Sequence, residues 1–344
     1  MSGNLFMSEV NKILVVRNDK IGDFVLALPA IQAIKSAFPN ATLIALVPDY
    51  TKEIAQAFAW IDDIIIDPKD PKNKKALVTE LKNHNFDAVI CLFSDAYNAT
   101  LVRQAKIPMR VAPATKWVQF LYTHRLSQRR SKSLKPEFEY NVDLAHYFIE
   151  LLGGKVQKAI SPMFSYASED LTKQLHKLDA IGVSVDRKLC FIHPVTGGSS
   201  NTLTQAQWVK LIIFLDGLDH FHFVITAGPG EAPVSQALVE ALQGLIGHVS
   251  LYDKNDGIAD FMCSIATAAL FVAGSTGPLH IAGAIDVPTI GFYPNKRSSK
   301  PLRWKTLNTE GRWLPFTTSD PNSSLTDLDV TSVFEEIKVW YMNL

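Results

Sequence analysis

A chain of 344 residues exceeds the length over which one hydrophobic core keeps growing, so two domains are the expectation. Thirty-four Lys and Arg offset 34 Asp and Glu, which removes any whole-chain attraction to nucleic acid and leaves only local basic surface to consider. No apolar run approaches the roughly 20 residues that span a bilayer, and no basic region leads into an apolar stretch at the N-terminus, so the expected location is the cytoplasm, with peripheral contact at the inner membrane left open.

The first strand candidate, 13–16, runs into a polar turn of Arg17, Asn18, Asp19 and Lys20. Gly22 and Asp23 follow, against the apolar run 24–28 that starts a helix. A carboxylate there is either a helix cap or first-turn residue, or a base aimed into a cleft. Further strand candidates at 42–47, 64–66, 88–93 and 110–111 alternate with helical stretches at 49–58 and 71–83. The second half repeats the alternation. Its strands are expected at 189–193, 222–227, 249–252, 270–273 and 289–292, its helices around 205–215, 233–242, 258–268 and 278–285. This pattern argues an α/β fold with parallel, doubly wound sheets, and two such domains facing each other would line one cleft with the carboxyl ends of their strands.

The join falls between 153 and 187. We therefore divide the chain into an N-terminal acceptor-side domain over 1–165, a nucleotide-sugar-binding domain over 166–325, and a closing helix over 326–344 that could pack back on the N-terminal domain. Ser332 and Glu335 stand at capping-box spacing in that last segment. Cys91, Cys190 and Cys263 are far apart, each in an apolar segment, as suits reduced core thiols.

Common nucleotide and catalytic motifs are absent: no GxGxxG after a strand, no GxxxxGK[ST], no HExxH, no GxSxG. Chemistry is sought instead in three glycine turns. The turn after 189–193 carries Thr196, Gly197, Gly198, Ser199, Ser200 and Asn201, whose backbone N–H groups and hydroxyls could cradle a phosphate; the alternative is an ordinary loop with a Thr204 cap. The turn Ser275-Thr276-Gly277 opens a helix with Pro278 in its first turn, which suits a second phosphate, and His280 is either a ligand contact there or a satisfied core histidine. Glu231, after the third turn, could reach a ribose hydroxyl or serve only as a helix-start carboxylate. The loop 124–138 places Arg125, Arg129, Arg130, Lys132 and Lys135 ahead of any acid, as solvated surface or as a contact for a phosphorylated glycolipid or anionic lipid.

Together, "KIGDFVLALPAI" at 20–31 (in the opening motif 13–30), the "HPVTGGSS" turn at 193–200, "STGPLHIAGAIDVPT" at 275–289 and "EYNVDLAHYFIELLG" at 139–153 resemble glycosyltransferase family 9, the ADP-heptose:lipopolysaccharide heptosyltransferases and their relatives. The resemblance implies a GT-B fold of two Rossmann-like domains. It also implies a bacterial enzyme that transfers heptose from ADP-heptose, with inversion, onto a lipopolysaccharide core or related glycan, with no cofactor or metal required. It assigns the base to Asp23 and the donor diphosphate to the turns at 196–201 and 275–277, with Lys20 and Gly22 beside them. Two positions depart from the family: Ser275 stands where aspartate is usual, and Asn201 where Lys or Arg is common. A nucleotide-sugar epimerase on the same fold, or a non-catalytic relative that still binds nucleotide-sugar, are the alternative readings.

Overall fold

The computed structural model describes residues 10–115, 117–196 and 202–344. They form two α/β units: one takes the chain up to 130 together with 135–160, the other takes 131–134 and 161–344.

In the first unit β1 (Lys12–Val16), α1 (Ile21–Val25), α2 (Leu28–Ala37), β2 (Thr42–Val47), α3 (Lys52–Ala57) and β3 (Asp63–Ile66) come first. Then follow α4 (Lys74–Asn83), β4 (Ala88–Cys91), α5 (Ala96–Gln104), β5 (Met109–Pro113), β6 (His124–Leu126) and α6 (Glu137–Leu151). The six strands pair in the order β3-β2-β1-β4-β5-β6, all parallel. A parallel sheet covered on both faces needs near-continuous apolar strands, and Ile13 to Val16 and Ala88 to Cys91 are fully buried.

The second unit contains α7 (Ser168–Ala180), β7 (Lys188–His193), α8 (Gln205–Asp216), β8 (Phe221–Thr226), α9 (Ala232–Leu242) and β9 (Val249–Tyr252). After them come α10 (Ile258–Ala266), β10 (Leu270–Gly274), α11 (Gly277–Ile285), β11 (Thr289–Tyr293), β12 (Trp313–Thr317) and α12 (Phe334–Tyr341). Its order, β12-β11-β10-β7-β8-β9, repeats the winding of the first. In each unit the chain builds outward from its first strand, then returns to that strand's other side. The switch points, where such sheets hold ligands, therefore lie between β1 and β4 and between β7 and β10.

Several local expectations are corrected. The apolar stretch after Asp23 is two helices, because Pro29 cannot donate to the Val25 carbonyl and its ring would clash there. Across the break Ala30 donates to Ala27 rather than Leu26, and the Leu26 carbonyl accepts instead from Asn141 Nδ2 at 3.1 Å, which ties the break to α6. Strands β6 and β12 extend the outer edges of the two sheets and were not expected; β6 is three residues long with His124 and Arg125 among them, and β12 carries Pro315 at its centre, both of which weaken a strand signal. The closing helix packs on the second unit, where Phe334 stacks on Phe214 at 4.0 Å and Tyr341 meets Phe221 at 5.5 Å. Ser332 does not cap it: its hydroxyl donates to the Asp329 carbonyl within a preceding 3-10 turn, and Val333 occupies the cap position. Cys91 and Cys190 are buried thiols, while Cys263 is partly open.

Candidate active site

In the first unit the site begins where β1 ends. Arg17 is 3% exposed and spans the switch point, donating from Nη1 to the Leu92 carbonyl just beyond β4 at 3.0 Å. The rest of its fork meets carboxylates: Nη2 lies 2.6 Å from Asp23 Oδ1, and Nε 2.9 Å from Asp19 Oδ1. Glu137, at the start of α6, approaches Nη1 at 3.8 Å. The same Glu137 oxygen accepts from Arg130 Nη1 at 2.6 Å, and Arg130 also reaches Gln128 and Asn141. Two guanidinium groups thus share one buried carboxylate.

This arrangement answers what Asp23 does locally. It sits in the first turn of α1, yet no side chain caps that helix; its carboxylate is taken by Arg17 instead. Burial pushes the Asp23 carboxyl up, Arg17 pulls it down, and Glu137 pushes it up again. Asp19 is raised to about 6, by burial first and by the charges of Asp23 and Glu137, against the pull of Arg17. Arg17 is raised despite its burial, because three carboxylates surround it. The chemistry available is a partly open carboxylate, oriented by a planar fork, with its proton affinity raised above that of an ordinary carboxylate by burial. Lys20 is exposed beside it, at the cap position of α1, and Gly22 leaves the turn without a side chain.

Arg17, Asp19 and Glu137 are functional candidates that sequence reasoning did not single out. The polar turn 17–20 was their signal; Glu137 had none, since its role depends on α6 packing against α2. A second buried cluster lies alongside. Asn18 donates to Asn98 Oδ1 at 2.8 Å and to Asp67, and Tyr97 donates to Asp67 at 2.8 Å. It fixes the turn after β1 to the ends of β3 and α5.

In the second unit the switch point gathers three turns. His193 ends β7, and its Nδ1 is 2.9 Å from Thr226 Oγ1 at the end of β8. Thr226 already donates its single proton to the Ile192 carbonyl, so His193 Nδ1 carries the hydrogen and Nε2 is the acceptor. Burial lowers His193 to about 4, against the opposing pull of Glu231, whose Oε2 is 3.7 Å from Nε2. Glu231 accepts from the Gly228 N–H at 2.8 Å, an approach that a side chain at 228 would block. In this structure it closes its own turn.

Thr196 and Gly274 bring the ends of β7 and β10 together. A Cβ built on Gly274 would stand 3.1 Å from the Thr196 methyl, so glycine allows that approach. Residues 197–201 lie outside the described residues, so Gly197, Gly198, Ser199, Ser200 and Asn201 are not placed. The Thr204 cap is present as a full capping box with Gln207. Ser275 spends its backbone N–H on the Phe292 carbonyl in the sheet, leaving its side chain partly open. Thr276 caps α11 without a capping bond, and its hydroxyl is buried with no hydrogen-bond partner among the described residues. One turn later, His280 Nδ1 is in the same condition; burial lowers this imidazole to about 4, and its ring faces Trp304 at 6.1 Å. Buried polar atoms are rarely left unsatisfied. Thr276 at the open helix N-terminus is thus suited to an anionic oxygen.

The basic loop is divided by the structure. Arg130 is committed to the Glu137 network, which corrects its assignment as a surface contact for acceptor or lipid, and Lys135 pairs with Asp143. Arg125, Arg129 and Lys132 are exposed.

The chain matches the model of Glycosyltransferase family 9 (heptosyltransferase) over residues 75–322. It is 42% identical over 341 residues to a Haemophilus influenzae protein named as a candidate glycosyltransferase, covering 97% of this chain and 98% of that one. Among solved structures it is similar to E. coli ADP-heptose lps heptosyltransferase II, with a TM-score of 0.79, 16% identity and coverage of 96% and 99%. It is also similar to E. coli heptosyltransferase WaaC with ADP, with a TM-score of 0.70, 17% identity and coverage of 96% and 99%. These two likenesses carry the fold, which is GT-B.

Proposed function

From the premise that this chain belongs to glycosyltransferase family 9 and is a glycosyltransferase, we propose that it transfers heptose, with inversion, from ADP-heptose to a hydroxyl of a lipopolysaccharide core or related glycan. The observation that carries this reading is Asp23: a carboxylate gripped by a buried arginine at 2.6 Å instead of serving its own helix. The donor choice rests on the relatives, one named for ADP-heptose and one solved with ADP.

In the proposed reaction Asp23 accepts the proton of the acceptor hydroxyl as its oxygen attacks the anomeric carbon. The bond from that carbon to the diphosphate oxygen breaks, and its electron pair leaves with ADP. The growing negative charge is met by the N-terminus of α11, by the Thr276 hydroxyl and by the turn that begins at Thr196; Lys20 is the cation we assign to the same diphosphate. No metal or cofactor enters this scheme. Turnover that persists in EDTA supports it, and a strict divalent-ion requirement counts against it.

The deciding experiment has two stages. Thermal shift with ADP, ADP-heptose and UDP-sugars identifies the donor by mass action. Transfer to a heptose-accepting glycolipid is then compared between wild type and Asp23→Asn. A sugar altered on incubation with donor alone would indicate an epimerase, and donor binding without transfer to any acceptor a non-catalytic relative.

A further inference from the structure

The neutral total charge hides a local imbalance. Between Asp95 and Glu137 the chain has no acidic residue at all, while nine Lys and Arg fall in residues 96–136. This stretch builds α5 and the outer edge of the first unit's sheet, β5 and β6.

Two of the most exposed large apolar side chains lie in the same stretch. Trp117 is 65% exposed and Phe120 is 71% exposed, on the 3-10 turn Trp117–Leu121 between β5 and β6. A 3-10 helix has three residues per turn, so positions 117 and 120 share one face. The opposite face is anchored: Val118 and Tyr122 are buried in the core of the unit, with Leu121 packed against it. The turn is therefore held firmly with both aromatic rings turned outward. Arg125, exposed on the edge strand, stacks its guanidinium 5.5 Å from the Phe120 ring centroid, and Arg129 is exposed four residues further on. Neither arginine is paired with a carboxylate among the described residues.

We propose that Trp117 and Phe120, flanked by Arg125 and Arg129, form a docking surface for an anionic lipid bilayer. Trp is suited to the headgroup level, where an apolar ring body enters the acyl boundary and the indole N–H stays wet. The arginines add attraction to anionic headgroups, and the missing acids remove the repulsion that would offset it. Aromatic insertion and basic attraction are two weak signals that together give stable but reversible attachment. A protein partner would need a shaped apolar recess, whereas two protruding rings on a basic edge match a soft, negatively charged surface.

The test uses the full chain and vesicles of phosphatidylcholine, alone or mixed with phosphatidylglycerol. Co-sedimentation is expected only with the anionic vesicles and is expected to weaken as salt rises. Trp117→Ala with Phe120→Ala should weaken it by roughly tenfold or more, and Arg125→Glu by about fivefold or more. Brominated lipid should quench part of the wild-type tryptophan fluorescence, and Trp117→Phe should remove that quenching. Unchanged melting temperatures show that these surface variants are folded, and Arg125→Glu tests the proposal independently of the aromatic pair. Equal binding to neutral vesicles, equal binding by wild type and the double alanine variant, or quenching that survives Trp117→Phe would overturn it. So would a dimer in sedimentation velocity that the double variant dissolves, since the patch would then be a contact between two copies.

Discussion

Arg17 Nη2 lies 2.6 Å from Asp23 Oδ1, and the two roles proposed for Asp23 predict different consequences of replacing it. A capping carboxylate would be spent on backbone N–H groups, and its replacement would cost about 0.5–2 kcal/mol of stability and no turnover. Asp23 is spent on a side chain. Asp23→Asn should therefore lower kcat by roughly 10²- to 10⁴-fold while the ADP-induced thermal shift stays close to wild type. Near-normal transfer by this variant would remove Asp23 as the base.

The charges around Asp23 give a prediction with opposite signs at neighbouring positions. Burial raises its carboxyl, Arg17 lowers it and Glu137 raises it. The base works only when ionised, so activity falls as pH drops through its pKa. Arg17→Gln removes a lowering charge and should move the acid limb of kcat/KM to higher pH; Glu137→Gln removes a raising charge and should move it lower. Arg17→Gln should also destabilise the fold by about 3–5 kcal/mol, because it leaves buried carboxylates unpaired. Shifts of the same sign in both variants would show that the network does not act on the titrating group.

Asp19 sharpens that test, since its carboxyl, at about 6, titrates where a general base would. Asp19→Asn should keep substantial turnover and shift the acid limb downward by removing a like charge from beside Asp23. If Asp19→Asn rather than Asp23→Asn abolishes transfer in a folded protein, the base is Asp19.

What the sequence made legible follows from how local each signal is. Two doubly wound halves could be read because buried parallel strands, such as 13–16 and 270–273, are continuous apolar runs that contrast with the helices between them. Thr204 as a cap could be read because a capping box is written within four residues. The place of Glu137 beside Arg17 could not, because α6 supplies it from more than a hundred residues later. The same holds for Arg130, which in a run of basic residues looks like surface until Glu137 and Asn141 are brought to it. The closing helix shows the same limit: an amphipathic helix shows which face it buries, while its partners Phe214 and Phe221 are read only from the structure.

In the second unit the approach of Thr196 to Gly274 is testable by size. Gly274→Val places a branched side chain where even a Cβ would stand 3.1 Å from the Thr196 methyl. Overpacking of this kind costs about 1–3 kcal/mol, and here it also displaces Thr196 just after β7. The ADP-induced thermal shift should fall sharply. Thr276→Val keeps the shape and removes only the buried hydroxyl, so it should weaken ADP while leaving the melting temperature of the free protein near wild type, since that hydroxyl has no partner to lose. Unchanged ADP affinity in both variants would place the diphosphate elsewhere.

His280 gives a pH dependence of stability. Burial lowers its pKa from 6.5 to about 4, so the folded protein keeps it neutral where the unfolded chain binds a proton. The sign follows from linkage: above about pH 6.5 the group is neutral in both states and contributes nothing, and stability is lost as pH falls from there towards 4. The full gap is worth roughly 3 kcal/mol, of which about 2 kcal/mol is already lost near pH 5. His193 and His222, each lowered to about 4 by burial, act in the same direction. Asp19, raised to about 6, acts in the other, its buried charge being relieved as pH falls. A single wild-type curve mixes these contributions, so the comparison is with His280→Asn, in urea unfolding near pH 7 and near pH 5. The variant should lose about 2 kcal/mol less than wild type between the two conditions. Identical losses would mean that the imidazole is protonated in the folded protein, with Nδ1 donating to a partner that Thr276 and the α11 turn must then share.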